Sequence, residues 1–199
     1  MRKKSGLLLA TNNKGKLREY QSLLQGIPFE IVTLADQFIS AEVAETGKTF
    51  EENATLKATS LAAISGLLSL ADDSGLEVDV LGGEPGSLSH RYAGDNATDA
   101  DRVNFILSKL KGVPEKRRVA QFRCVIAIAE PYGRVELCSG VCRGFITTVP
   151  RGNQGFGYDP IFYVPELKKT MAELTLEEKN RVSHRARAAE KAREKLMKW

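Results

Sequence analysis

Two long strand-like runs, residues 119–129 and 135–149, follow one another with only five residues between them. A chain that alternated strand and helix throughout would have no place for two such strands in succession. The predicted fold class is therefore α/β with a mixed β-sheet and flanking helices, not a doubly wound parallel sheet. Gly140 and Gly144 interrupt the second run and mark where it can bend.

The remaining elements are read from periodicity and from start and stop signals. Residues 6–10 are a short buried strand, and 14–25 a helix with Leu17, Tyr20 and Leu24 on one face. A second strand falls at 29–34. Thr49-Phe50-Glu51-Glu52 has the form of a capping box, so a helix opens there and runs to about Ser65, with Gly66 as its stop. A strand over 67–71 is expected to end at Asp72-Asp73-Ser74-Gly75, with extended chain resuming at 77–81. Residues 82–94, rich in Gly and Pro, read as loop. Thr98 caps a helix carrying Val103, Ile106, Leu107 and Leu110. A loop at 150–160 precedes a short strand at 161–164. Thr175-Leu176-Glu177-Glu178 is a further capping box, and helix follows to the C-terminus with a break near Ser183.

Composition bounds the class. With 42% hydrophobic and 27% charged residues, the 199-residue chain can bury a core and stay soluble, which excludes disordered and disulfide-scaffold readings. No apolar run approaches the roughly 18 residues of a membrane span. The basic start Met1-Arg2-Lys3-Lys4 and the apolar residues 6–10 are too short for a secretion signal, so the expected location is cytoplasmic, without membrane association. Cys124, Cys138 and Cys142 are read as buried thiols of a reducing compartment. The net charge of +4 is unevenly spread: residues 1–18 carry six basic and no acidic side chains, residues 177–199 eight and four, and the middle 15 and 21. Basic ends around an acidic middle fit a nucleic-acid binder, or a site where lysines hold phosphates and carboxylates hold a metal.

Four segments carry candidate chemistry. Thr11-Asn12-Asn13-Lys14-Gly15-Lys16 lies between a strand and a helix, where free backbone N–H groups and two lysines suit a phosphate; a polar turn capping the helix is the alternative. It is not a P-loop, because Ala10 stands where the first glycine would be and Leu17 where the metal-binding hydroxyl would be. Asp72-Asp73 places two carboxylates at the end of a buried strand, which is costly unless something positive compensates. Mg²⁺ is one answer, since it takes one or two protein carboxylates together with phosphate oxygens and water. Glu42, Glu45, Glu51, Glu52 and Asn53 supply further oxygens upstream. Glu51 and Glu52 serve the helix N-terminus, and Lys57, out of phase with Glu52, faces either a cleft or water.

Gly155-Phe156-Gly157-Tyr158-Asp159-Pro160 lets backbone approach a flat ligand beside an aromatic ring, or is a glycine turn with core aromatics. Lys179 with Ser183-His184-Arg185 offers donors suited to heterocycle carbonyls or phosphate.

The ordered set of 10–16, 45–54 (Glu45-Thr46-Gly47-Lys48-Thr49-Phe50-Glu51-Glu52-Asn53-Ala54), 71–76, 150–160, and 172–174 through 183–185 closely resembles the Ham1/RdgB family of inosine triphosphate (dITP/XTP) pyrophosphatases. The likeness covers the chain from about Leu8 to Arg187. It implies an elongated mixed sheet in a single domain, residues 1–199, with two lobes around a central cleft. It also implies a homodimer and Mg²⁺-dependent hydrolysis of non-standard purine nucleoside triphosphates to the monophosphate and pyrophosphate.

Carried over by motif, Thr11, Asn12, Asn13, Lys14, Gly15 and Lys16 contact the triphosphate, and Asp73 is proton acceptor and metal ligand. Ser74 contacts substrate, and Phe156, Gly157, Tyr158 and Asp159 line the base pocket that Lys179, His184 and Arg185 complete. Lys57 and Asp72 support phosphate and metal. A glutamate before Thr46-Gly47 belongs near the metal, and the local spacing leaves Glu42 and Glu45 both open. His90 and Ala186 depart from the usual family residues without touching a motif assigned to chemistry.

In this reading Lys14, Lys16 and Lys57 spread the triphosphate charge, and Asp73 orients or deprotonates the water that attacks the α-phosphorus. Buried donors, His184 and Arg185 among them, meet a 6-keto oxygen, and adenine would leave polar groups unpaired. The rivals are a nucleic-acid-binding module using the basic termini, and a Maf-like pyrophosphatase acting on pyrimidine or modified nucleotides.

Overall fold

The computed structural model of the chain describes residues 5–199. The basic stretch Arg2-Lys3-Lys4, and with it part of the N-terminal charge reading, lies outside the described residues. The order of elements is β1 (Gly6–Leu9), α1 (Lys14–Leu23), β2 (Glu30–Thr33), α2 (Phe50–Ser65), β3 (Leu68–Val78), α3 (Asp99–Lys109), β4 (Val119–Ala129), β5 (Val135–Ile146), β6 (Phe162–Val164), β7 (Lys169–Thr170), α4 (Leu176–Val182) and α5 (His184–Leu196). The strands form one seven-stranded sheet in the order β2-β1-β3-β4-β5-β6-β7. Pairing is parallel between β1 and its neighbours β2 and β3, and antiparallel from β5 to β6 to β7. The sheet is mixed, as the two successive long strands require. No helix among the described residues is long and apolar enough to cross a membrane.

The chain divides into two compact units. The first holds the described residues up to Asp73 with Cys124–Gly140 and Arg185–Trp199; the second holds Ser74–Arg123 and Val141–His184. In the first unit, alternate residues of β1 serve two cores. Leu7 and Leu9 pack with Tyr20 and Leu24 of α1 and with Ala188, Ala189 and Ala192 of α5, while Leu8 packs with Ala54, Ala58 and Ala62 of α2. A strand buried on both faces has to be apolar throughout, which explains the unbroken Leu7-Leu8-Leu9 run. In the second unit α3 sends Val103 and Ile106 into a core with Leu76, Phe122, Tyr158 and Phe162.

Helix starts and stops follow local chemistry. The capping boxes at Thr49, Thr98 and Thr175 all form, and Gly66 ends α2 in the left-handed conformation at φ 68°. Ser183 interrupts the C-terminal helices as expected. Cys124, Cys138 and Cys142 are buried thiols, none of them in a disulfide.

Three expectations are corrected and one strand is added. The strand expected to stop at Asp72 runs on as β3 to Val78, because both aspartates are buried and matched by cations and amides, so nothing forces the chain outward. The extended segment expected at 77–81 instead turns after Val78 into a single 3₁₀ turn, Asp79–Leu81, closed by Gly82 at φ 68°. The second long strand stops at Ile146 rather than 149, after which the Thr147 N–H donates to the Ile161 carbonyl. The two-residue β7 was not anticipated; it is too short to carry a period. Gly144 serves close packing: a Cβ there would run into the Tyr163 carbonyl oxygen and the Phe162 ring.

Candidate active site

In the first unit the loop after β1 prepares a helix N-terminus. Asn13 caps α1, its side chain accepting the Lys16 N–H at 3.0 Å, and the Thr11 hydroxyl accepts the Asn13 N–H at 3.2 Å. The first turn of α1 contains no acid, so the dipole and Lys14 and Lys16 leave this end positive. Asn12, Asn13 and Lys14 are exposed, and Thr11, Gly15 and Lys16 are half-buried.

Lys16 turns back to Asp72, Nζ to Oδ1 at 2.9 Å. On its other side Asp72 faces Arg185, whose Nε lies 3.5 Å from Oδ2 and whose Nη1 donates to Glu19 at 2.6 Å. Cys124 donates weakly to Asp72 at 3.7 Å. Burial alone would raise the Asp72 pKa, but Lys16, Arg185 and Lys57 outweigh it and hold the carboxyl well below the usual range. Asp72 is a fixed anion. Arg185, expected among the base-pocket residues, thus has its guanidinium buried in the first unit against Glu19 and Asp72.

Asp73 differs from its neighbour. Its Oδ2 accepts from the Asn53 side chain at 3.0 Å, and the Lys57 Nζ is 3.9 Å from Oδ1. Burial raises its pKa, Lys57 opposes, and the nearby Glu45 adds to the rise. Lys57 donates to Glu45 at 2.6 Å. Its phase on α2, which puts it off the Glu52 face, thus points it at carboxylates. Burial would lower the Lys57 pKa, but Asp72, Asp73 and Glu45 raise it overall. Glu52 is used in the cap, accepting the Lys48 N–H at 2.6 Å, and Glu42 is exposed. Of the two glutamates left open by sequence, Glu45 is the one brought to Lys57 and Asp73.

Among the described residues, no group of three or more His, Cys, Asp or Glu forms a ready-made metal cage. Asp73 and Glu45 nevertheless suit a hard divalent cation. Each raises the cost of ionising the other, and a dication that keeps phosphate and water ligands needs only one or two protein carboxylates.

The second unit carries the Gly155–Asp159 segment. Gly155 and Gly157 have φ of 76° and 63°, which a residue with a Cβ rarely adopts. Asp159 accepts the Phe156 N–H at 3.0 Å and the Lys179 Nζ at 2.5 Å, both on Oδ2, and Lys179 lies 4.9 Å from the centroid of the Phe156 ring. Tyr158 is buried and donates to the Ser89 carbonyl at 2.8 Å. Ser89 also accepts the Leu76 N–H at 2.9 Å, which links the β3 strand beyond Ser74 to Tyr158. A Cβ at Gly75 would overlap the Gly86 carbonyl and the Ser89 hydroxyl, so the glycine after Ser74 is required for this approach. Ser74 itself is half-buried. His184, first residue of α5, is buried and stacks on Phe122 at 4.7 Å between centroids and 19° between planes.

Sequence reasoning missed three residues that hold these groups. Asn53, counted only as an oxygen donor, joins the Gly47 N–H to Asp73. Glu19 neutralises Arg185; the signal was a lone acid amid the basic residues of 14–18 and next to the apolar Tyr20. Asp99 accepts the Gly157 N–H at 2.7 Å. Its signal was a second acid in a helix turn whose cap uses only Asp101.

The model of the Ham1 family matches residues 7–195. The chain belongs to the Ham1 family. The dITP/XTP pyrophosphatase of Geobacter sulfurreducens is 54% identical over 92% of this chain and 92% of that protein. That of Desulforamulus reducens is 51% identical over 96% and 94%. A HAM1 protein from Coxiella burnetii superposes with a TM-score of 0.89 at 43% identity, covering 98% of this chain and all (100%) of that one. The Staphylococcus aureus Ham1 protein gives 0.86 at 40% identity, over 96% and 98%. The Ham1 match spans every element that holds the residues described above, and the mixed α/β sheet is that of the solved Ham1 proteins.

Proposed function

We propose that this chain hydrolyses non-standard purine nucleoside triphosphates, namely ITP, dITP and XTP, to the nucleoside monophosphate and pyrophosphate. The dITP/XTP pyrophosphatases that share about half of its residues support the reaction class. The observation that carries the reading is the pair of adjacent buried aspartates with opposite electrostatics. Asp72 is locked as an anion between Lys16 and Arg185, and Asp73 is raised toward the range of a usable base.

The triphosphate is assigned to the N-terminus of α1, through Thr11, Asn12, Asn13, Lys14, Gly15 and Lys16, with Lys57 as a further cation. Asp72 holds Lys16 in place. Asp73, steadied by Asn53, orients or deprotonates the attacking water. Asp73 and Glu45 would hold Mg²⁺, which when bound neutralises phosphate charge and stabilises the leaving pyrophosphate. The base is assigned to Phe156, Gly157, Tyr158 and Asp159, with Ser74, Lys179 and His184. Donors set for a 6-keto oxygen would be left unpaired against the amino group of adenine. Arg185 is assigned to Asp72 rather than to the base. We further propose that residues 1–199 act as one catalytic domain, as a homodimer, in the cytoplasm, without nucleic-acid or membrane partners.

The test is pyrophosphate release from a nucleotide panel with Mg²⁺. ITP, dITP and XTP should exceed ATP by about 100-fold or more, and Asp73→Asn should lower turnover by about 10³-fold while the fold is kept. In ¹⁸O-water the label should enter the monophosphate. Higher activity on dTTP or UTP than on ITP, label in pyrophosphate, or a fully active Asp73→Asn variant would overturn the reading. Light scattering checks the dimer, and retention on heparin in the presence of EDTA would contradict the absence of a nucleic-acid partner.

A further inference from the structure

We propose that Asp99, on α3, is a positioning residue for the base-binding turn of the second unit, an inference that rests on the assignment of Phe156–Asp159 to the base. Helix α3 does not need this residue at its start. The Thr98 N–H donates to Asp101 Oδ2 at 2.8 Å and the Asp101 N–H returns to the Thr98 hydroxyl at 3.2 Å, so the capping box is complete without Asp99. Asp99 instead reaches a segment 58 positions away and accepts the Gly157 N–H at 2.7 Å. Its other oxygen pairs with Arg102.

Arg102 is itself fixed. It is 7% exposed, and its Nη1 donates to the Ala97 carbonyl at 2.6 Å and the His90 carbonyl at 3.1 Å. The carboxylate is therefore aimed by a guanidinium anchored to backbone on both sides of the loop before α3. Within the turn, Asp159 Oδ2 accepts the Phe156 N–H and the Asp159 N–H returns to the Phe156 carbonyl at 3.3 Å, while the Tyr158 hydroxyl and Lys179 hold its Tyr158–Asp159 end. Gly157, in the left-handed conformation, has no side chain with which to anchor it. Asp99 supplies a charge-assisted bond from a rigid helix, and so fixes where Phe156 and the Lys179 ammonium beside it stand.

A residue that sets the base-holding turn, away from the phosphoanhydride, should act on binding alike in ground and transition states. Asp99→Ala is expected to raise KM for ITP about tenfold with kcat within about twofold. Asp99→Asn keeps an acceptor for Gly157 and should recover most of that loss. Without nucleotide, amide hydrogen exchange over 155–158 should quicken about tenfold in Asp99→Ala and less in Asp99→Asn, with exchange over α2 unchanged. An unchanged KM, an unchanged exchange rate over 155–158, or a loss confined to kcat would overturn the proposal. Should the wild-type chain fail to turn over ITP, the proposed function falls, and the exchange comparison still decides whether Asp99 anchors the turn.

Discussion

The two units hold their functional groups by different means. In the first, side chains hold side chains: Lys16, Asp72, Arg185 and Glu19 form a linked series of charges, with Lys57, Glu45, Asp73 and Asn53 beside it. In the second, carboxylates paired with Lys179 and Arg102 also hold backbone: Asp159 and Asp99 take the N–H groups of Phe156 and Gly157, and glycines supply the left-handed conformations. The first arrangement sets protonation states and charge. The second sets the shape of a turn. Under the proposed function, fixed charge suits phosphate chemistry, and placed edges and faces suit a planar base.

The sharpest way to break the comparison is to remove one charge from each unit and measure urea unfolding. Asp72→Asn leaves Lys16 and Arg185 without their shared anion and should cost about 3–5 kcal/mol. Lys179→Met takes the ammonium from Asp159, which keeps the Phe156 N–H, and should cost about 3 kcal/mol, the low end of the same range. Equal losses, or a larger loss from the second change, would show that the first unit's charges are not more tightly interlocked.

Acid titration of stability sharpens the contrast within the first unit. The folded Asp72 pKa lies below its unfolded value of about 3.8, so its contribution is present above that value and is lost as pH falls through the folded pKa. The folded Asp73 pKa is raised, so its contribution has the opposite sign: stability falls as pH rises from about 3.8 through the folded value. Below about pH 3.8, Asp72→Asn should flatten the acid loss of wild type, while above it, toward about pH 7, Asp73→Asn should make the chain more stable.

The smallest effects separate the two glutamates. Glu45→Gln removes the partner of Lys57 and should lower activity about tenfold, whereas Glu42→Ala, on an exposed side chain, should stay within about twofold in the same pyrophosphate assay. The reverse order would return Glu42 to the metal.

Much of this was legible beforehand, for identifiable reasons. The mixed sheet followed from two long strands in succession, and the helix limits at Thr49, Gly66, Thr98, Thr175 and Ser183 followed from signals contained within a few residues. The motif segments were visible for the same reason: 11–16, 72–75 and 155–160 each concentrate unusual residue types in a short span. The course of β3 was misread because Asp72 and Asp73 look like a strand end when their compensating cations, Lys16 and Arg185, are distant in the chain.

Local sequence determined the helices with their caps, most of the strands and the residue types available for phosphate and base, because those depend on neighbours within one helical turn or one strand pleat, whereas the length of β3 did not. Tertiary structure alone decided which charges meet. It put Arg185 on Asp72, chose Glu45 over Glu42 as the partner of Lys57, split two adjacent aspartates into a fixed anion and a raised carboxyl, and brought Asp99 to Gly157. Coulomb and desolvation energies depend on distance in space and on burial, and neither is written in the spacing of residues along a chain.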